Sequence, residues 1–590
     1  MANSVYTNVL NNRVTPQTQA IPGREKDMTK NYAGGVVFGI TPFQMLERFL
    51  ILGSDKNQYY TTAQKLTKKN AGNIRKCLVL DGKRTVDMIV QISDSGRAPK
   101  NDPAIFALAV ASTPSYGSQE TARYALSQLS KVCRIGTHIL QFCEFIDGMR
   151  GWGRSLKSAV AAWYETKNAD QLAYQLVKYQ QRGGESTKGL LRMAHPEFLD
   201  ERQSAVMAWS VTGGLDKLKQ NAESWPLFSS KKYTPSPEEI EIRRNRYQNA
   251  YNILSGDSAP AIIAGYEAAK VATSAKEVAR IIRNTGLTHE MIPTQFKNDP
   301  EVWEALLEKM PLTAMVRNLG VMSKIGLVAP LSNASKVIVN RLNDQNYLRK
   351  SRVHPMALLI AQRTYRQGRG RLGGNTWAVT PTVVDALEAA FYKAFANVVP
   401  TGENIYIGLD VSGSMSCEFS PGSGMSSAEA GAAMAMVVAR TEKNYCMYGF
   451  ASSGGYKSVK MVDLGITASD TLETALRKTA GHTFGSTDCA LPMIHAEGNK
   501  MDSDAFVVIT DNETWAGNIH PSQALASYRR NRNKPNAKLI VMACMASPFT
   551  IADPTDPNSL DVVGFDANVP ALITDFIRGS GAGSSAEDEE

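Results

Sequence analysis

A carboxylate and two hydroxyls alternate at Asp410, Ser412 and Ser414, within the run NIYIGLDVSGSM that spans Asn404 to Met415. Three such oxygens on one tight turn can converge on a point. Hard donors of this kind suit Mg²⁺, which keeps several waters and takes few protein ligands. Two further donors lie downstream: Thr487 in FGSTDCALPM, and Asp511 at the end of AFVVITD. The predicted metal set is therefore Asp410, Ser412, Ser414, Thr487 and Asp511, holding Mg²⁺ or another divalent cation. Read alone, DVSGS also fits a plain strand-to-helix turn with an N-cap. A hydroxyl and a second acid on the elements where a shared site needs them favour the metal.

Those donors need a parallel sheet to bring them together. Apolar runs predict strands at 404–410, 445–451, 505–511 and 538–545, alternating with helical stretches at 425–442, 470–480, 487–497 and 520–531. That alternation predicts a doubly wound α/β domain, with carboxylates at the C-terminal ends of neighbouring strands facing one crevice. From Pro42 to about Val398 the period is helical instead, as in FQMLERFLIL, ARYALSQLSKV, LKSAVAAWYET and PMALLIAQRTY. Many short amphipathic helices in succession predict stacked helix pairs of the α-solenoid kind. Residues 208–260, with Trp225, Pro226, Pro235 and Pro237, read as the least regular part, an insertion or loop leading into the helix EEIEIRRNRYQNAYNIL. The expected organisation is a flexible arm over 1–30, a helical-repeat domain over 31–399, an α/β domain over 400–578, and a disordered acidic tail over 579–590.

The net charge of +9 over 590 residues hides a division. From Pro400 onward there are 13 Lys+Arg against 23 Asp+Glu, a net of −10, which leaves +19 on the preceding residues. A large positive excess beside an acidic neighbour is the footprint of a polyanion ligand, nucleic acid first. Seven widely spaced cysteines with no C-x-x-C pair predict reduced thiols, mostly buried. No signal-like apolar segment opens the chain and no run of about 18 apolar residues occurs, so a cytoplasmic protein with no membrane partner is expected.

The D-x-S-x-S turn with Thr487 and Asp511 resembles the metal-ion-dependent adhesion site of a von Willebrand factor A domain. That resemblance implies hydroxyl ligation by Ser412, Ser414 and Thr487, with Asp410 and Asp511 acting largely through water. Longer blocks resemble the TROVE family of Ro-type RNA-binding proteins: GRAPKNDP followed by FALAVA, KVCRIGTH, GWGRSLKSAVAAWY, KYQQRGGESTKGLLRMAHP, EVWEALLEKMPLTAMVRNLG, SRVHPMALLIAQRTY, LDVSGSM, FGSTDCALPMI and ITDNETWAG. The resemblance implies an all-α ring of HEAT-like repeats closed by the A domain. Its hole would take single-stranded 3′ ends of misfolded non-coding RNA, its outer surface Y-like RNA, and the protein would act in RNA quality control or maturation as a monomer, with an exoribonuclease as a further partner. The sequence departs from the animal pattern W-S-H-K, having Glu185 and Thr187 in E-S-T-K.

The basic residues can also be read directly. Arg134 and His138 lie four apart and Arg154 and Lys157 three apart, spacings that place each pair on one helical face. Such cations can follow a phosphate backbone without reading its sequence. A solvated helix face fits them equally, and His138 also fits a core histidine. Arg134 and His138 are the candidates for an inner wall; Lys178, Arg182, Lys188 and Arg192 are candidates for an outer edge. Catalysis finds no P-loop, H-E-x-x-H or G-x-S-x-G, so the chain is not expected to be an enzyme. The rival function is a protein-adhesion module whose metal-loaded A domain captures a partner carboxylate, the helices serving as scaffold.

Overall fold

The computed structural model of the protein describes residues 14–52, 71–98, 100–182, 185–223, 236–370, 374–395, 400–418, 425–452, 459–480, 486–545, 547–565 and 569–579. Near the N-terminus, β1 (Met28–Lys30) pairs antiparallel with β2 (Val36–Gly39). Helices then run from Pro42–Leu52 to Pro381–Lys393, broken among the described residues only by single-turn helices and the hairpin of β3 (Gln181–Arg182) and β4 (Glu185–Ser186). Stops are local: Asp81 caps the helix Gly82–Ser95 by accepting from the Arg84 amide at 2.9 Å, and Gly96 ends it in the left-handed region at φ 72°. Within residues 208–260 the expected helix forms as Pro237–Ser255, while Leu215–Glu223, expected to be irregular, is also helical and packs on it. The stretch 224–235 between them, with Trp225, Pro226 and Pro235, lies outside the described residues.

After the helices comes a six-stranded sheet. Its strands are β5 (Ile405–Asp410), β6 (Tyr445–Ser452), β7 (Val459–Asp463), β8 (Ala505–Thr510), β9 (Lys538–Ala543) and, beyond the two-residue β10 (Phe549–Thr550), β11 (Ser559–Val563). The order is β11-β9-β8-β5-β6-β7, parallel except for the antiparallel β6–β7 pair. β5 and β8 are buried along their full length, which is why they read as unbroken apolar runs. Pleating divides their side chains. Ile405, Ile407 and Leu409 join the core shared with the helical array, and Tyr406 joins Phe506, Leu525 and Tyr528 in a second core on the opposite face. All seven cysteines are free thiols, five of them buried. Among the described residues no helix is long and apolar enough to cross a membrane.

The expected flexible arm is corrected by the structure over residues 14–30. Gln17 is wholly buried, β10 adds to the β1–β2 pair, and Arg24 makes a two-pronged bond to Asp553 at 2.9 Å on each side. Prolines and polar residues suit a free arm, but here their hydrogen-bonding groups are satisfied by the α/β domain. The tail beyond Gly579 lies outside the described residues.

The helical array meets the α/β domain at both ends. On Pro42–Leu52, the buried Arg48 donates to Ser547 O at 2.6 Å, Phe549 O at 2.9 Å and Asp561 Oδ2 at 2.5 Å. At the far end Arg363 pairs with Glu429, Arg366 with Glu473, and Glu388 accepts from the Leu472 amide at 2.8 Å. Early and late helices also touch each other, His354 Nε2 lying 3.3 Å from Arg97 O. The expected ring is thus a closed circuit of helices and one α/β domain.

Two expectations follow. Arg48→Ala takes a donor from two buried carbonyls and leaves the half-buried Asp561 carboxylate only its bond from Thr550, and should cost on the order of 3 kcal/mol in denaturant unfolding. His354 Nδ1 accepts from the Met356 amide at 3.1 Å, so Nε2 carries the proton toward Arg97 O, and burial pushes the ring's pKa down to about 4. A folded value below the unfolded ~6.5 means protons favour the unfolded chain, so stability present at pH 7 is lost as pH falls through 6.5 toward 4, by at most about 2 kcal/mol at pH 5. Melting curves from pH 8 to 5 should show this loss in the wild type and a smaller one in His354→Asn.

Candidate metal centre and candidate nucleic-acid interface

The five predicted metal donors stand on three loops at the C-terminal edge of the sheet. Asp410 closes β5, Asp511 follows β8, and Ser412 and Ser414 lie on the turn after β5. All five are nearly or wholly shielded: Asp410 and Asp511 are 0% exposed, Thr487 2%, Ser414 3% and Ser412 4%. Ser412 folds its amide back onto Asp410 Oδ1 at 2.9 Å, and this turn sets the Ser412 and Ser414 hydroxyls 3.1 Å apart. The second Asp410 oxygen accepts from Thr510 Oγ1 at 2.6 Å. Thr487 is placed by its carbonyl, which accepts from the amides of Trp515 and Ala516, both at 3.1 Å, tying its loop to the one that bears Asp511.

Electrostatics give this cluster a sign. Burial, and then the charge of Asp511, push the Asp410 carboxyl well above the usual carboxylate range, against its hydrogen bonds from Ser412 and Thr510. The thiols of Cys544 and Cys417 are raised by burial first and then by the same acids. Both Asp410 oxygens bond to neutral donors. Two close carboxylates ringed by hydroxyls form a site that a small hard cation fits, since it would offset a repulsion the protein leaves standing. Among the described residues no three His, Cys, Asp or Glu side chains gather into a metal cluster, here or elsewhere, so this candidate centre has two acids and three hydroxyls.

The basic candidates separate into two groups. Arg134 does not share a helical face with His138, as expected from spacing: it lies in the break before the helix Gly136–Asp147. Trp163 Nε1 donates to the Cys133 carbonyl and holds that break open. Arg134 bonds to Ser93 O at 3.0 Å and Lys131 O at 2.9 Å, while His138 Nδ1 stands 3.4 Å from Asn101 Nδ2 in the same network. Lys178 is likewise engaged, donating to Tyr174 at 3.0 Å and facing Glu290 at 3.8 Å. Arg182 belongs to β3, and its side chain is outside the described ones.

The others face solvent. Arg154 and Lys157 project from the helix Arg154–Glu165 into a surface cavity of about 750 Å³ that Trp152 and His195 also line. Lys188 and Arg192 lie on the helix Thr187–Ala194. Lys188 is held below the ordinary lysine range by burial and by the nearby charges of Arg192 and Lys217. Arg192 also stands close to Tyr247, as do Arg243 and Arg246. Arg192, Arg243 and Arg246 from two helices thus stand around one half-buried tyrosine, and Lys188 lies close to Arg192 and to Lys217 of a third helix.

Comparison with known proteins follows from this geometry. Residues 29–369 match the family model described as TROVE domain, and 404–577 the one described as Ro60 vWA domain. A protein of Deinococcus radiodurans named RNA-binding protein RO60 is 37% identical over 567 residues, covering 96% of this chain and 97% of its own. The chain belongs to the Ro60 family. A second Ro60-family relative, from Caenorhabditis elegans and of the same name, is 34% identical over 599 residues, covering 93% of this chain and 90% of its own. The crystal structure of the Deinococcus radiodurans RO (RSR) protein superposes with a TM-score of 0.64 at 36% identity, over 91% of this chain and all of that one.

Within this Ro60-family chain the E-S-T-K departure is explained by burial. Thr187 turns inward and donates to Tyr179 O at 2.6 Å. Sequence reading missed Lys217, Arg243 and Arg246, although Arg243, Arg246 and Tyr247 fall at i, i+3 and i+4 of one helix. It also missed Thr510, and Gln17 and Asn31, which contact the metal loops and whose composition gave no signal. The repulsion at the metal centre has a measurable consequence. In chelator, Asp511→Asn should raise unfolding stability on the order of 1 kcal/mol by removing one of two buried like charges, whereas an ordinary structural carboxylate would lose stability.

Proposed function

We propose that this chain binds structured non-coding RNA, holding it on the helical array and using the α/β domain as a separate cation-dependent capture site. The observation that carries this reading is the gathering of Arg192, Arg243 and Arg246 around Tyr247, with Lys188 adjoining through Arg192 and Lys217 through Lys188, on a region of net charge +19. Relatives over nearly the whole length that are named RNA-binding proteins support it. Cations presented by three helices can meet a duplex backbone, which such residues grip without reading bases. Arg154, Lys157, Trp152 and His195 offer a second patch where charge and ring stacking can hold an unpaired base. Arg134, His138 and Lys178 serve mainly to join helices. We assign the RNA class as Y-like RNAs and the 3′ ends of misfolded RNAs, in the cytoplasm, with an exoribonuclease as a further partner and no catalytic step by this chain.

The buried acids favour a second, compatible activity. Ser412, Ser414 and Thr487 would hold Mg²⁺ directly, and Asp410 and Asp511 largely through water. The ion would supply a charge able to bind an acidic group of a partner. The protein's own part is to keep the hydroxyls convergent at the edge of the sheet.

Fluorescence anisotropy with an RNA hairpin carrying a 3′ tail tests the main reading. Affinity should fall steeply with salt, and each of Arg192→Ala, Lys217→Ala and Arg243→Ala should flatten the slope of log affinity against log salt by about 0.7–0.9. A flat response to salt in the wild type overturns it. Asp410→Ala should abolish the heat of Mg²⁺ binding while leaving RNA affinity unchanged.

A further inference from the structure

The two loops that carry Thr487 and Asp511 share a neighbour from the opposite end of the chain. Gln17, wholly buried, reaches both with its side-chain amide. Its nitrogen donates to Asp488 Oδ1 at 2.7 Å and to Ile519 O at 2.9 Å. Its oxygen accepts from Thr514 Oγ1 at 2.6 Å and from the Gly517 amide at 3.2 Å. Asp488 follows Thr487 directly, and Thr514 lies three residues after Asp511. One primary amide thus spans the gap between two donors. Among side chains only Asn and Gln carry two N–H donors on one atom beside an acceptor oxygen, which is the set used here.

The surrounding segment repeats the pattern. Asn31 Nδ2 donates to Thr514 O at 2.7 Å, the Ala33 amide to Glu513 Oε2 at 3.0 Å, and the Glu513 amide in turn to Asp511 Oδ1 at 3.0 Å. Gly35 lies so close that a Cβ added there would sit 1.9 Å from Thr514 O, so only glycine lets the backbones meet. The strap is itself tied down, the Gln17 amide donating to Gly517 O at 3.0 Å and the Val36 amide to Gln17 O at 2.6 Å. Asn512, beside Asp511, holds a left-handed φ of 67°, and its side chain accepts from the Ile551 amide at 3.1 Å. A non-glycine residue keeps that conformation where its surroundings impose it.

We infer that the N-terminal strap, through Gln17 as a positioning residue, sets the separation of Thr487 and Asp511 and so tunes the divalent-cation affinity of a site some 500 residues away. This inference rests on the metal reading proposed above. Gln17 lies outside both matched regions, 29–369 and 404–577. It touches no cation itself; it orients the loops that do, and partners of this kind are worth roughly 10–100-fold in affinity. Coupling between two sites is reciprocal, so a strap that favours the cation must in turn be held more tightly when the cation binds.

The test uses the full chain with MgCl₂ as probe. Calorimetry should show Gln17→Met, which keeps the volume and removes the polar bridge, binding Mg²⁺ roughly 10–100-fold more weakly than wild type. Gly35→Ala, which lifts the strap and leaves Gln17 intact, should do the same. Hydrogen exchange at the Gln17 and Val36 amides of the wild type should slow on adding Mg²⁺, and a strap with a merely structural role would exchange at one rate throughout. Asp410→Ala supplies the control. No Mg²⁺ binding by the wild type overturns the metal reading and this inference with it. Wild-type binding that Asp410→Ala abolishes, with Gln17→Met unchanged and exchange insensitive to Mg²⁺, overturns this inference alone. Should Gln17→Met fail to fold, the wild-type exchange measurement decides by itself.

Discussion

Arg48 is a fully buried cation on the first helix of the array, and every route by which that helix could leave the α/β domain must strip it of its partners. Its guanidinium is committed to two backbone carbonyls beside β10 and to the Asp561 carboxylate on β11. An unpaired charge left in that interior would cost several kcal/mol or more. The opposite seam is built differently. Arg363–Glu429 and Arg366–Glu473 are part-exposed pairs, of a kind worth roughly 0–1 kcal/mol each. The circuit of helices therefore has one joint closed by a buried charge and one whose ion pairs are open to solvent.

Charge also organises the molecule at longer range. The helical part carries the positive excess and the α/β domain the negative one, so an approaching polyanion is drawn to the helices and repelled from the metal loops. Two chemistries with opposite preferences can thus share one chain without competing for the same ligand. The separation follows from which residues the folds place at their surfaces.

The placement of Asp410 and Asp511 at the ends of β5 and β8 was legible because buried parallel strands read as apolar runs, and an acid ending such a run is conspicuous. β7 and β11 were missed because VKMVD and SLDVV are short and half polar, as edge strands often are. The break at Arg134 was not legible, since Trp163 makes it by capturing a carbonyl from thirty residues away. The strap was misread for a related reason. Thr15, Pro16 and Gln17 have the composition of a free arm, and the groups that bury them are encoded near the other end of the chain. Local sequence reports local preference, and both failures are places where tertiary contacts override it.

The three-stranded sheet of β1, β2 and β10 joins residues 28–39 to residues 549–550, so the two ends of the chain complete a single structural unit and the whole helical array is inserted between them. Synthesis imposes an order on this. At about 5–20 residues per second, the strap leaves the ribosome roughly half a minute to two minutes before its partners exist. The helices, whose contacts are mostly with neighbours in sequence, can fold during that interval. Their stacking carries the N-terminal segment around to where the last strands will emerge, and so spares much of the loop-closure entropy that an unstructured chain would lose. The array is in this respect a template for the assembly of the domain it encloses, and closure of the ring and maturation of the α/β domain are one folding event.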